Sequence, residues 1–203
     1  MIVHSCPIVH PPTPIKIVLM SGLSDPSCCA LSRVQQQFLD RLTAPRETKL
    51  YANFPYVPPD RSEQRPVPLL MASWRNFSQF VGVQRSPYRE HALAHWESLA
   101  GSCRGLLVVT ISCGLEILNM CLSSGVRPPE LEVLALGPVA WRRPPATHTL
   151  IRGSRDFVVN PWFRSVDLVL PGVGHLDYLG NQDVIALVES RMQNLVTRTM
   201  ASE

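Results

Sequence analysis

A serine, an aspartate and a histidine each follow a short apolar run of this chain, at positions where a loop can present a side chain. Ser112 lies in the sequence TISCG, directly between an apolar run and a predicted helix. Asp156 follows LIRGSR, and His175 follows LPGVG. A serine hydroxyl is a poor nucleophile until a base accepts its proton, and the base works best when an acid fixes its tautomer. These three residue types together therefore have the chemistry for nucleophilic catalysis.

The elements that must position these residues follow from the hydrophobic pattern. Short β-branched runs predict six strands, at 15–20, 49–54, 105–111, 131–136, 147–151 and 166–170. Helical spacing predicts helices at 28–42, with Leu31, Val34, Phe38 and Leu42 on one face, and at 87–99, 115–123 and 183–197. The five prolines of 55–68 predict a loop, and 69–83 is ambiguous, with a short helix possible around Trp74.

Continuous apolar strands that alternate with helices indicate an α/β fold with a mostly parallel sheet of about six strands. We expect three layers, αβα, with helices on both faces of the sheet. In such sheets the ligand crevice lies at the carboxyl ends of the strands, which is where Ser112, Asp156 and His175 are predicted to lie.

The composition narrows the class of protein. The 203 residues are 45% hydrophobic and 17% charged, which predicts one domain at 15–203 after a Pro-rich arm at 1–14. The net charge is only +3 and the arginines are scattered, so we expect no nucleic-acid partner. We expect no membrane partner and a cytoplasmic protein with reduced cysteines, because neither a secretory signal nor a run of roughly 20 apolar residues is visible. The oligomeric state does not follow from the sequence.

The TISCG turn resembles the nucleophile elbow of the α/β-hydrolase superfamily, whose usual pattern is G-x-S-x-G. Thr110 stands at the first glycine position, and Gly114 fills the second. The strand-Gly-x-x-Asp turn that ends at Asp156 and the strand-to-Gly-His loop that ends at His175 follow in the family's order. The resemblance covers about residues 15–200, and it implies a minimal α/β-hydrolase fold without a cap domain, because only 44 positions separate Ser112 from Asp156.

The resemblance implies a role for each of these residues. Ser112 would be the nucleophile, His175 the general base and Asp156 the acid that orients the base. The remaining roles are an oxyanion hole made by backbone N–H groups of Cys113 and of Leu23 or Gly22, and substrate contacts from Ser21 and Trp141. No cofactor and no metal are implied. The implied reaction is hydrolysis of an ester or thioester, of a small or acyl-chain substrate, through an acyl-enzyme.

Two other functions stay open on the sequence. The same serine would serve an acyltransferase or thioesterase that acts on a carrier-bound acyl group. Thr110 and Ser21 depart from the family's pattern, so a catalytically inactive, hydrolase-like binding protein is the third possibility. A nucleotide-binding α/β protein is disfavoured, because no Gly-x-Gly-x-x-Gly or Gly-x-x-x-x-Gly-Lys motif follows any predicted strand.

Several residues compete for the same roles. Cys113 is a possible nucleophile, although an elbow centred on it would put the bulky Ile111 and Leu115 where glycine is wanted. Asp177, two residues after His175, is a rival acid.

Two further features have both a functional and a structural interpretation. Arg142 and Arg143 beside Trp141 either bind an anionic group at the rim or belong to a solvated loop. His91 and His95 have a metal-ligand spacing, but the intervening residues lack the glutamate of zinc proteases.

Overall fold

The computed structural model describes residues 10–22, 30–54 and 88–201, which contain six strands and four helices. The strands are β1 (Ile15–Ser21), β2 (Lys49–Asn53), β3 (Gly105–Ile111), β4 (Glu130–Leu136), β5 (Thr147–Gly153) and β6 (Leu168–Leu170). The helices are α1 (Arg33–Arg41), α2 (Tyr88–Ala100), α3 (Gly114–Leu122) and α4 (Gln182–Ala201), and 3-10 turns span Arg46–Thr48 and Tyr178–Gly180. The strands form one sheet in the order β2-β1-β3-β4-β5-β6, and all neighbours are parallel. The predicted fold class is confirmed.

Alternation of side chains along β3 explains the three layers. Leu106 and Val108 belong to the core on one face of the sheet, together with residues of α2 and α3 such as Trp96. Leu107 and Val109 belong to the core on the other face, which α1 and α4 cover. Because both faces are covered, β3 is buried along nearly its whole length, and only its last residue, Ile111, is partly exposed.

The first helix differs from its prediction. It begins at Arg33 and not near Cys28, because Ser32 caps it: the Ser32 hydroxyl accepts from the Gln35 N–H, and the Gln35 side chain accepts from the Ser32 N–H. The prediction that Val34 lies on the buried face was wrong, since Val34 is exposed and Leu39 is buried in the core.

Other boundaries moved by smaller amounts. The sixth strand is shorter than 166–170, because the Asp167 carboxylate accepts the N–H of Leu150 at the point where a longer ladder would continue. The predicted loop 55–68 and the predicted helix around Trp74 lie outside the described residues.

The last residues of the predicted N-terminal arm pack against the sheet. The Thr13 N–H donates to the carbonyl of Ser102, and the Lys16 ammonium donates to the carbonyl of Pro11. His10 is buried there, and burial lowers its pKa. None of the helices in the described ranges is both long and apolar enough to cross a membrane.

Candidate active site

Ser112 occupies a sharp turn between β3 and α3. Its φ is +53°, and it is the sole non-glycine residue with positive φ in the described part of the chain. A non-glycine residue in this region is strained and persists only where its surroundings hold it. Here the Ser112 N–H donates to the carbonyl of Leu136 at 3.1 Å, and its own carbonyl accepts the N–H of Val139 at 3.1 Å. The turn is therefore clamped to β4 and to the loop after β4, and it lifts the hydroxyl above the sheet edge.

The two glycine positions of the elbow pattern behave differently. A Cβ at Gly114 would lie 1.9 Å from the carbonyl oxygen of Met20, so only glycine lets α3 start against the end of β1. Thr110, at the other position, is fully buried, and its hydroxyl has no hydrogen-bond partner among the residues that the structure describes. The fold thus accommodates the departure from the family pattern inside the core, at the cost of an unsatisfied hydroxyl.

The structure brings Ser112, His175 and Asp156 into one hydrogen-bonded chain. Nε2 of His175 lies 3.1 Å from Oγ of Ser112, and Nδ1 of His175 lies 2.8 Å from Oδ2 of Asp156. Both distances are within hydrogen-bond reach. The three residues come from three strand ends, after β3, β5 and β6, which meet at the carboxyl edge of the sheet.

Asp156 is held by more than the histidine. Its side chain is fully buried, and its Oδ1 accepts the N–H of Val158 at 3.0 Å. The hydroxyl of Tyr178 donates to Oδ2 at 2.5 Å, and the same hydroxyl accepts the N–H of Gly153 at 2.8 Å. Burial, and then the hydrogen bond to Asp156, raise the pKa of Tyr178, so that the hydroxyl stays a donor at any working pH.

Sequence reasoning missed two residues of this arrangement, Tyr178 and Gly137. Gly137 has φ +55°, and a Cβ there would lie 2.8 to 3.0 Å from Tyr178, Asp156 and His175. A side chain at this position would push the carboxylate, the imidazole and the phenol apart. The only signal in the sequence is a glycine directly after a predicted strand, which points to a close approach of neighbouring groups.

Of the three predicted oxyanion donors, Cys113 and Gly22 lie within the described residues. Cys113 follows Ser112 and caps the N-terminus of α3, where backbone N–H groups lack partners within the helix. Burial raises the pKa of the Cys113 thiol to about 12, although hydrogen bonds from the N–H groups of Cys113 and Gly22 act in the opposite direction. Those bonds place Gly22 beside Cys113. Leu23 lies outside the described residues.

The Ser21 hydroxyl has partners within the protein. It bonds to Oδ1 of Asn53 and accepts from the Gln35 side chain. The Ser21 N–H also donates to Oδ1 of Asn53, at 3.0 Å. The end of β1 is thereby tied to the end of β2, and a substrate contact of Ser21 stays a prediction.

The competing residues differ in their contacts. The Asp177 carboxylate accepts the N–H of Gly174, whereas Oδ2 of Asp156 lies 2.8 Å from Nδ1 of His175. Cys113 is buried, and its raised pKa disfavours the thiolate. The roles of acid and nucleophile stay predictions.

The remaining features with two interpretations lie away from the reacting groups or have partners of their own. Arg143 pairs with Asp167 at 2.9 Å, which favours a structural role for this arginine. The rings of His91 and His95 lie 4.4 Å apart, and within 10–22, 30–54 and 88–201 no group of three metal-binding side chains is formed.

Trp141 lies in the loop after β4, near the elbow. Its side chain is 71% exposed and meets the ring of Trp162 in a T-shaped contact. The Trp141 N–H donates to the buried carboxylate of Glu116 in α3. The sequence singled out Trp141, whereas Trp162 and Glu116 become visible as its neighbours only in three dimensions.

Comparison with known proteins gives a likeness of structure. No protein-family model matches the sequence, and no curated protein matches it. Among solved structures, the chain is similar to the esterase PE8, with a TM-score of 0.54, 18% identity and coverage of 93% of this chain and 96% of the other. It is also similar to a dienelactone hydrolase-like promiscuous phosphotriesterase from metagenomic libraries, with a TM-score of 0.55, 13% identity and coverage of 93% and 87%. At this level of identity the likeness shows a shared fold.

Proposed function

We propose that this chain, which has the α/β-hydrolase fold, is a serine hydrolase that cleaves an ester or thioester through an acyl-enzyme. The observation that carries the proposal is the chain of hydrogen bonds from Oγ of Ser112 through His175 to Asp156, at 3.1 and 2.8 Å. The strained backbone at Ser112 supports it, since such strain concentrates at functional turns. The esterase and the hydrolase-like phosphotriesterase that share the fold are in keeping with it.

In the first half of the proposed reaction, His175 removes the proton of Ser112 as Oγ attacks the acyl carbon. The resulting oxyanion is stabilised by the N–H of Cys113 and by an N–H of Gly22 or Leu23. The imidazolium then gives its proton to the leaving alcohol or thiol as the bond to the acyl carbon breaks. In the second half, His175 deprotonates a water that attacks the acyl-enzyme, and the proton returns to Oγ of Ser112.

Asp156 supports both halves by electrostatics. A buried carboxylate interacts strongly with a charge that forms beside it, because the surroundings screen it weakly. Hydrogen bonds from Val158 and Tyr178 fix its orientation before the reaction begins. The site therefore needs little reorganisation when the imidazolium forms.

A fluorophosphonate probe tests this function. The probe should label the folded wild-type protein once, with the added mass on the peptide that contains Ser112. Ser112→Ala should not be labelled, whereas Ser124→Ala, at an exposed serine just after α3, should be labelled like the wild type. A folded wild-type protein that neither reacts with the probe nor hydrolyses p-nitrophenyl esters would overturn the proposal and favour a binding protein. Acylation that is released only by an added thiol or alcohol would favour acyl transfer.

A further inference from the structure

Of the three most exposed large apolar residues in the described part of the chain, two lie in loops that carry the proposed triad, and the third lies in the loop after β4. Phe157 is 75% exposed and directly follows Asp156, and Leu176 is 71% exposed and directly follows His175. Trp141, also 71% exposed, comes two residues after Val139, whose N–H holds the Ser112 carbonyl. Exposed apolar side chains that gather around one group of reactive residues are typical of a binding surface.

Trp141 and Trp162 form an apolar wall that reaches the elbow. Their rings meet in a T-shaped contact with centroids 5.0 Å apart. Trp162 in turn packs against the small buried cluster of Cys113 and Val139. The wall therefore runs without interruption from the residue next to Ser112 out to solvent.

Two buried polar side chains of α3 hold the backbone of this wall. The Glu116 carboxylate, 5% exposed, accepts the N–H of Trp141, and the Asn119 amide donates to the carbonyl of Arg142 at 2.8 Å. Burying such groups is unfavourable unless they are bonded, so the loop and the helix depend on each other. The ring that this arrangement presents contributes little to the core, because most of it is exposed. A fixed backbone that presents an exposed tryptophan is typical of a preorganised binding surface.

We propose that the Trp141–Trp162 wall binds the acyl group of the substrate, and that the substrate class is esters or thioesters with a bulky apolar acyl group. The inference rests on the proposed function, since it requires an acyl-enzyme on Ser112. His175 has to reach the leaving group, which places the alcohol or thiol on the histidine side of Ser112. The wall instead begins at Cys113 and Val139, which Trp162 contacts. We therefore assign the wall to the acyl chain.

A series of p-nitrophenyl esters tests this inference, because the leaving group stays constant while the acyl chain grows from acetyl to octanoyl. The wild-type kcat/KM should rise roughly 10-fold or more from acetyl to hexanoyl. Trp141→Ala should lower kcat/KM for hexanoyl roughly 10-fold and for acetyl less than about 2-fold. Since Trp141 is mostly exposed, this variant should stay folded. Val34→Ala, which removes an exposed apolar side chain from α1, is the matched control and should leave the chain-length preference unchanged.

Glu116, whose carboxylate accepts the backbone N–H of Trp141, gives a second variant. Glu116→Gln keeps an oxygen for the Trp141 N–H and should retain the preference, whereas Glu116→Ala should weaken it by raising KM for hexanoyl. Fluorophosphonate labelling of Ser112 in every variant separates the two proposals. A wild type that is labelled but hydrolyses all chain lengths equally would overturn the acyl-site inference and leave the serine hydrolase standing. A chain-length preference that Trp141→Ala leaves intact would also overturn the acyl-site inference. Equal hydrolysis of all chain lengths, together with binding of the protein to phosphatidylcholine vesicles, would overturn it as well. A wild type that is not labelled would overturn both.

Discussion

Two buried carboxylates lie at opposite ends of the sheet, and their partners differ in kind. Asp156 follows β5 at the carboxyl edge, where its side chain is fully buried among an imidazole, a phenol and a backbone N–H. Glu132 lies near the start of β4 with a side chain only 2% exposed, and it pairs with two arginines of α4. Arg198 approaches it at 2.6 Å and Arg191 at 3.3 Å.

The difference lies in when each charge is balanced. The hydrogen bond to Glu132 raises the pKa of Arg198, so the charge of Glu132 is matched in the resting protein. The partners of Asp156 are an imidazole, a phenol and a backbone N–H. In the proposed reaction, a full countercharge would arise when His175 takes the Ser112 proton. We therefore infer that Glu132 holds α4 on the sheet, whereas Asp156 would stabilise a charge that exists during the reaction.

The sharpest test of this contrast is Asp156→Asn. We expect turnover to fall about 10⁴-fold, because an amide neither selects the correct tautomer of His175 nor stabilises the imidazolium. The free energy of unfolding, measured by urea denaturation, should fall by about 1–3 kcal/mol, since the amide has one acceptor oxygen and its NH2 must face either the Val158 N–H or the Tyr178 hydroxyl. Asp177→Asn is the matched control, and its turnover should stay close to that of the wild type. Similar losses of turnover in the two variants would contradict the assignment of the acid.

The converse change, Glu132→Gln, should act on stability and not on turnover. Removing the charge leaves Arg191 and Arg198 without their buried partner, and both are exposed enough to regain some water. We therefore expect a loss of about 2 kcal/mol in the free energy of unfolding, below the usual range for breaking a fully buried pair. The kcat/KM of the folded fraction should be unchanged. A variant of undiminished stability but impaired catalysis would break the contrast between the two carboxylates.

A change at Tyr178 tests how the partners of Asp156 affect the proposed reaction. Tyr178→Phe keeps the ring but removes the donor to Oδ2, the oxygen that also bonds to His175. More of the carboxylate charge then falls on the imidazolium, so the acid limb of the kcat/KM profile should move to higher pH. Turnover at pH 8 should fall by at most about 10-fold. A loss of activity without any shift of the limb would mean that Tyr178 is only structural.

The same variant has an effect on stability at high pH with a definite sign. Folding raises the pKa of Tyr178 above its ordinary value of about 10, so its contribution to stability is complete below pH 10 and declines as the pH rises. Between pH 9 and 11 the wild type should therefore lose more stability than Tyr178→Phe, as followed by urea denaturation at each pH.

The elements and the three chemical residues could be predicted, for a physical reason. Apolar β-branched runs mark buried parallel strands within one or two residues, and parallel strands bring their carboxyl ends to one edge. Ser112, Asp156 and His175 each follow such a run, so their proximity follows from topology and needs no knowledge of side-chain packing.

The residues that escaped prediction depend on contacts between distant parts of the chain. Tyr178 lies in a short 3-10 turn, and its hydroxyl meets Asp156, 22 residues earlier in the chain. Gly137 is needed because three side chains from other loops crowd its Cα, and no local pattern reveals that crowding. Val34 fits the helical period but lies at the edge of the buried face, which is centred on Gln35, Phe38 and Leu39. Periodicity is local information, whereas packing and capping decide what each position contacts.

The smallest expected effect concerns Glu130, which pairs with the same arginine as Glu132 but at the surface. Its carboxylate lies 3.0 Å from Nε of Arg198, and both side chains are about a third or more exposed. An exposed pair gains little, because water screens the attraction and two long side chains are ordered. Glu130→Gln should therefore lower the free energy of unfolding by less than about 1 kcal/mol, and 1 M NaCl should abolish the difference from the wild type. Glu132→Gln measured under the same conditions should keep most of its larger effect, because its partner site is buried and poorly screened. The two substitutions could lower the free energy of unfolding by the same amount and respond equally to salt. In that case burial does not set the strength of the Glu132 pairs, and the distinction from Asp156 has to rest on chemistry alone.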